Sequence, residues 1–140
     1  MKSGKSSTRR KSSAITCMTR RLKPPASNEN KSAWIDLGSR YEKEFVKLLR
    51  RHGVNAEINP AKKTNPYLPD LLVEGRVAEL KTRRTPFFKT EQYGISPDTA
   101  TTINEKDIER YIRTNPGMVV FFWVYWPKQE RYGVEVKECC

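Results

Sequence analysis

Asp70, Glu79 and Lys81 lie close together in the stretch Pro69-Asp70-Leu71-Leu72-Val73-Glu74-Gly75-Arg76-Val77-Ala78-Glu79-Leu80-Lys81. Leu71-Leu72-Val73 and Val77-Ala78 have the apolar, β-branched content of strands, and Glu74-Gly75 is the turn signal between them. A two-residue loop there puts Val73 opposite Arg76 and, further along the ladder, Asp70 opposite Glu79. Lys81 follows on the face of Glu79, because side chains alternate along a strand. Paired Cβ atoms lie only ~5 Å apart, and like charges at that spacing repel. A hard divalent cation on oxygen ligands, with an ammonium beside it, would neutralise such a pair. The other face, Leu71, Val73, Ala78 and Leu80, is wholly apolar and suited to packing under a helix. Glu-Gly is not the usual pair for a tight hairpin, so a wider turn would change which residues face each other.

The elements around this hairpin must position it. Trp34 to His52 has helical periodicity, with Trp34, Leu37, Tyr41, Phe45, Leu48 and Leu49 on one face. At ~100° per residue, Glu42 falls on one edge of that stripe and Glu44 on the other. Either can reach past the core; either can also be an ordinary flank charge paired with a lysine a turn away. Gly53 stops the helix. Val54 to Asn59 alternates as a strand, and residues 60–66 form a loop carrying Lys62 and Lys63. Thr82 to Thr102 has little periodicity, and loops of such length are functional or disordered. Its mixture of Arg83, Arg84, Phe87, Phe88 and Lys89 suits phosphate contact with base stacking, although the phenylalanines would serve equally as a core cap. Asn104 caps a second helix, with Asp107 in a capping-box-like position and Ile108, Tyr111 and Ile112 as its inner face. Met118 to Trp126 is a continuous apolar run, expected as a central strand buried on both faces. Pro127 to Glu130 turn the chain into a last edge strand, Arg131 to Lys137. These elements predict an α/β fold: a mixed central sheet flanked by helices, with a parallel right-handed crossover through the second helix.

Composition narrows the partners. The 140 residues include 27 Lys and Arg against 16 Asp and Glu, a net charge of +11. Such a balance favours polyanions, nucleic acid before an anionic membrane surface. Residues 1–33 hold nine basic residues and one acid, whereas residues 34–140 hold 18 and 15. The expected organisation is therefore a disordered basic tail over 1–33, either a bland solubilising segment or a phosphate-binding arm, and one domain over 34–140. Cys17, Cys139 and Cys140 form no CxxC or Cys/His cluster, which argues against a zinc site. Three cysteines suggest no disulfide framework, so a reducing, cytoplasmic setting is expected, with the Arg- and Ser-rich start also resembling an organelle transit peptide. The longest apolar run, Met118 to Trp126, is nine residues and too short for a membrane span.

Pro69-Asp70, an eight-residue interval and then Glu79-Leu80-Lys81 resembles the PD-(D/E)XK nuclease superfamily, whose core runs helix, three strands, helix, strand. The first helix, Gly38-Ser39-Arg40-Tyr41-Glu42-Lys43-Glu44-Phe45 with Lys47-Leu48-Leu49 and His52-Gly53, is similar to that of small archaeal and viral Holliday-junction resolvases. Glu79-Leu80-Lys81-Thr82 and Thr85-Pro86-Phe87-Phe88 resemble bacteriophage nucleases of this type, which implies a phage-infected host cell as a further setting. The resemblance covers roughly residues 38–137. It implies Mg²⁺- or Mn²⁺-dependent hydrolysis of DNA phosphodiesters. Asp70, Glu79 and the Leu80 backbone carbonyl would hold the metal, Glu42 would complete the site, and Lys81 would orient the attacking water; Glu44 is the substitute for Glu42 if the helix phase differs. Lys62, Lys63, Arg83, Arg84 and Lys89 are the candidate nucleic-acid contacts, and Asn65 flanks the approach. The lone His52 sits at a helix end and is given no catalytic role. Duplex or branched DNA is the expected partner, and paired cuts at a junction favour a homodimer. Gln92 is followed four residues on by Ser96, so the Gln-x-x-x-Tyr signature of recombination-type relatives is missing. Two alternatives stand beside this: a non-catalytic basic binding module on the same fold, and a site-specific homing or restriction-type nuclease.

Overall fold

A computed structural model describes Ser27 and residues 30–139. The tail over 1–33 therefore lies almost wholly outside the described residues. Helix α1 spans Lys31–Arg51, starting three residues before the expected Trp34 because the Asn30 side chain accepts the Ala33 N–H and caps it. Strands β1 (Ala56–Ile58), β2 (Leu71–Val73) and β3 (Arg76–Arg83) follow, then α2 (Glu105–Thr114), β4 (Val119–Val124), β5 (Gln129–Arg131) and β6 (Val134–Val136). The architecture is mixed α/β. The main sheet has the order β1-β2-β3-β4, antiparallel across its first three strands and parallel between β3 and β4.

The hairpin takes the expected register, with Leu71 opposite Ala78, Leu72 opposite Val77 and Val73 opposite Arg76. Glu74 and Gly75 both adopt positive φ, 50° and 74°, the geometry a two-residue loop needs to match strand twist. Glycine reaches that region without strain; Glu74 is held there by Asn55, whose carbonyl accepts the Glu74 N–H at 2.8 Å while its own N–H donates to Glu74 Oε1 at 2.6 Å.

The core forms where α1 covers the apolar face of this hairpin. Phe45 and Val46 pack on Ala56, Leu71, Ala78 and Leu80, with Phe121 and Trp123 of β4 alongside. The Phe45 ring lies 5.2 Å from that of Phe121 and 5.3 Å from that of Trp123, and Tyr41 meets Trp123 edge-on at 6.1 Å. Leu71 is fully buried one residue after Asp70. Leu71→Ala is expected to lower the unfolding free energy by about 3 kcal/mol in urea titration, because this close-packed site cannot collapse around the void.

Three expectations are corrected. β4 is an edge strand rather than a central one: β3 lies on one side, no strand is paired on the other among the described residues, and Phe122 is 37% exposed. One face of its apolar run packs on α1, so the run's length reflected core contact rather than burial on both faces. The chain after Trp126 forms a separate hairpin, β5-β6, turned at Tyr132-Gly133, again with φ positive at both (54° and 73°). The expected Arg131–Lys137 strand is thus broken in two and does not extend the main sheet. Finally, α2 turns Tyr111 inward but leaves Ile108 and Ile112 exposed, because it meets the sheet through Asp107 and Tyr111, about 100° away from the isoleucines. The 83–102 connection is more ordered than its composition suggested. It carries 3₁₀ turns at Phe88–Tyr93 and Pro97–Thr99, and Phe88 enters a second core with Trp126 and Val136.

Candidate active site

Two ion clusters gather around the hairpin. In the first, the Lys62 ammonium lies 2.6 Å from Asp70 Oδ1 and 3.0 Å from Glu42 Oε1. The other oxygen of Asp70 accepts the Leu80 backbone N–H at 3.2 Å, which ties the end of the loop to β3. In the second, the Lys81 ammonium lies 3.3 Å from Glu79 Oε1 and 3.4 Å from Asp107 Oδ2. Tyr111 donates its hydroxyl to Glu79 Oε1 at 3.0 Å, and Arg110 pairs with Asp107 at 2.9 Å. Asp70 and Glu79 line one cleft of about 390 Å³ together with Asn65, Tyr67, Arg110 and Tyr111.

Each of these groups is held by an identifiable element. The phase of α1 delivers Glu42 to Asp70; Glu44 instead pairs with Lys47 at 2.8 Å, away from the cluster. Lys62 rides on a 3₁₀ turn, Pro60–Lys63, capped by Asn59, whose side-chain oxygen accepts the Ala61 N–H. The buried Asn59 also donates its side-chain amide to Pro69 O at 2.9 Å and its backbone N–H to Asp70 O at 2.9 Å. One asparagine therefore fixes both the lysine's turn and the carboxylate's strand entry. The Asn-Pro pair was its available sequence signal, an Asx cap with proline at the first helical position.

Of the expected phosphate contacts, Lys62 is drawn into the carboxylates, because their uncompensated charge attracts it more strongly than water does. Arg83 donates to the Thr82 and Thr102 carbonyls and so braces the connection. Arg84 lies beside Tyr41 with its Nη1 buried. Lys63 and Lys89 remain exposed, as do Asn65 and His52. Tyr111, Asp107 and Asn59 went unmarked in the sequence as site residues. Their roles depend on contacts between segments far apart in the chain, which no local spacing encodes.

The electrostatics follow from this crowding. Burial, then the neighbouring Asp70 charge, raises the Glu42 pKa against the opposing effect of Lys62. Burial alone would lower Lys62, but its hydrogen bond and charge pairing with Asp70, then Glu42, outweigh that and hold it above 10.5. Lys81 is raised likewise: burial opposes the charge, and Tyr111, Glu79 and Asp107 more than offset it. Lysines whose folded pKa exceeds the unfolded value contribute stability that is complete below the unfolded value and is lost as pH rises through the folded one. The urea midpoint is therefore expected to fall as pH climbs past 10.5, and Lys81→Met is expected to flatten that fall.

The donor chemistry suits Mg²⁺. Among the described residues no three His, Cys, Asp or Glu side chains are close enough to share one ion. Mg²⁺ sites in general use only one or two carboxylates and keep several waters; Glu42 and Asp70 form such a pair, held here by the Lys62 ammonium. No protein-family model, curated protein or solved structure matches the chain. No helix among the described residues is long and apolar enough to cross a membrane.

Proposed function

We propose that this chain is a Mg²⁺-dependent DNA endonuclease of the PD-(D/E)XK type. The observation that carries the proposal is the meeting of Glu42 and Asp70 around the Lys62 ammonium, with Asp70 sharing a cleft with Glu79, which pairs with Lys81. The order of helix, three strands, helix and strand is compatible with that nuclease core, as is the parallel pairing of β3 with β4. Asp70 and Glu42, with the Leu80 carbonyl, would hold Mg²⁺ or Mn²⁺, and Glu79, across the same cleft from Asp70, would reach it through one of the waters that Mg²⁺ keeps. When bound, the metal supplies Lewis-acid polarisation of the phosphate and a water of lowered pKa. Lys81 would orient the attacking water and stabilise charge developing on the phosphate. Tyr111 positions Glu79 through its hydroxyl, and Asp107 holds Lys81 from the far side. The exposed Tyr67 and half-exposed Arg110 border the cleft where a backbone would enter. The products are a 3′-hydroxyl and a 5′-phosphate.

The resolvase resemblance implies branched DNA as the substrate and a dimeric enzyme. Incubating the protein in Mg²⁺ with linear duplex, single strand, flap and four-way junction of equal length tests that substrate. Paired symmetric cuts in the junction are expected; equal cutting of all four would remove branch selectivity, and cleavage of RNA in place of DNA would reassign the substrate.

A further inference from the structure

Lys62 stands where the proposed reaction needs a divalent cation. Its ammonium is within hydrogen-bond reach of both Glu42 and Asp70, and its side chain is only 21% exposed. The turn that carries it is pinned at its start by Asn59, so the flexible four-carbon stem, rather than the backbone, is free to move. An ammonium and a divalent ion both require the same carboxylate oxygens, and they repel each other at that separation. Both cannot be held there at once.

We propose that Lys62 is a built-in counter-ion that keeps Glu42 and Asp70 in place, competes with the divalent metal for them and, once displaced, serves as a phosphate contact in the adjoining cleft. This rests on the nuclease reading above. It makes metal and DNA binding mutually reinforcing, since a metal that frees the ammonium raises the affinity for a phosphate, and the coupling is reciprocal.

Mn²⁺ binding to the full, DNA-free chain tests it, followed through the electron paramagnetic resonance of free Mn²⁺. Wild type, Lys62→Gln and Lys62→Arg are compared after thermal melting shows each to be folded. Lys62→Gln is expected to bind Mn²⁺ about tenfold more tightly than wild type, and Lys62→Arg no more tightly, because only the former removes the competing charge. Should Lys62→Gln not fold, Lys62→Met keeps the packing of the stem and carries the same expectation. A folded, charge-free variant with unchanged or weaker Mn²⁺ affinity overturns the inference. If wild type still cuts DNA in that case, the nuclease assignment stands without it; if wild type neither binds Mn²⁺ nor cuts DNA, both fall.

Discussion

Asp70→Asn is expected to slow DNA cleavage by about 10³-fold or more while leaving duplex affinity within a few-fold of wild type. Asp70 takes part in three relationships at once. One oxygen meets Lys62, the other accepts the Leu80 N–H, and the charge faces Glu42. Asparagine can still accept the Leu80 bond, so the strand entry is preserved. It cannot supply the second anionic donor, and its amide group meets an ammonium in place of a counter-charge. Loss of the Asp70 charge also removes one cause of the raised Glu42 pKa, and Glu42 remains the anionic partner of Lys62 among the described residues. Single-turnover cleavage and fluorescence anisotropy separate the two effects. Full activity in the variant would remove Asp70 from the chemistry; loss of binding in proportion to activity would make its role one of docking.

Lys81→Met is expected to lower cleavage by about 10²-fold to 10³-fold, and stability by about 1–2 kcal/mol. The side chain is 18% exposed and lies between Glu79 and Asp107, with the Tyr111 ring centroid 5.6 Å from its ammonium. Methionine fills the space but leaves two half-buried carboxylates without that charge. Arg110 still pairs with Asp107, which limits the loss, and Glu79 keeps the Tyr111 hydroxyl. Lys81→Arg separates the roles: it is expected to restore most of the stability and little of the cleavage rate, because a planar guanidinium does not reproduce a compact ammonium beside the attacking water. Urea unfolding and single-turnover rates on the same preparations make the comparison. Recovery of both by arginine would assign Lys81 to charge balance alone.

The hairpin was legible from sequence because its information is local. One turn signal between two apolar runs sets the register, which pairs Leu71 with Ala78 as expected; the expected Asp70–Glu79 pair lies beyond the end of that ladder, where Asp70 turns to Lys62 and the Leu80 N–H while Glu79 joins Lys81. Even the unusual Glu74 was compatible, since Asn55 supplies from outside what the turn lacks within. The choice between Glu42 and Glu44 could be narrowed only to the two edges of a stripe; the tertiary position of α1 then selected Glu42. Lys62 was legible as a basic loop residue and not as the partner of two carboxylates, because that depends on where a 3₁₀ turn folds back relative to Pro69. The apolar run at Met118 to Trp126 revealed a strand but not its neighbours, so its position at the sheet edge was hidden. The second hairpin had a signal in Tyr132-Gly133, masked by the stronger turn composition of Pro127 to Glu130.

Closed circular DNA incubated with the full chain, in Mg²⁺ and in Mg²⁺ with excess EDTA, tests the assignment most directly. Nicked and then linear DNA bearing 5′-phosphate and 3′-hydroxyl ends is predicted in Mg²⁺, with intact circles in EDTA. Circles left intact in Mg²⁺ and Mn²⁺ alike, or cleavage undiminished by EDTA, would contradict a metal-dependent nuclease built on Glu42, Asp70, Glu79 and Lys81.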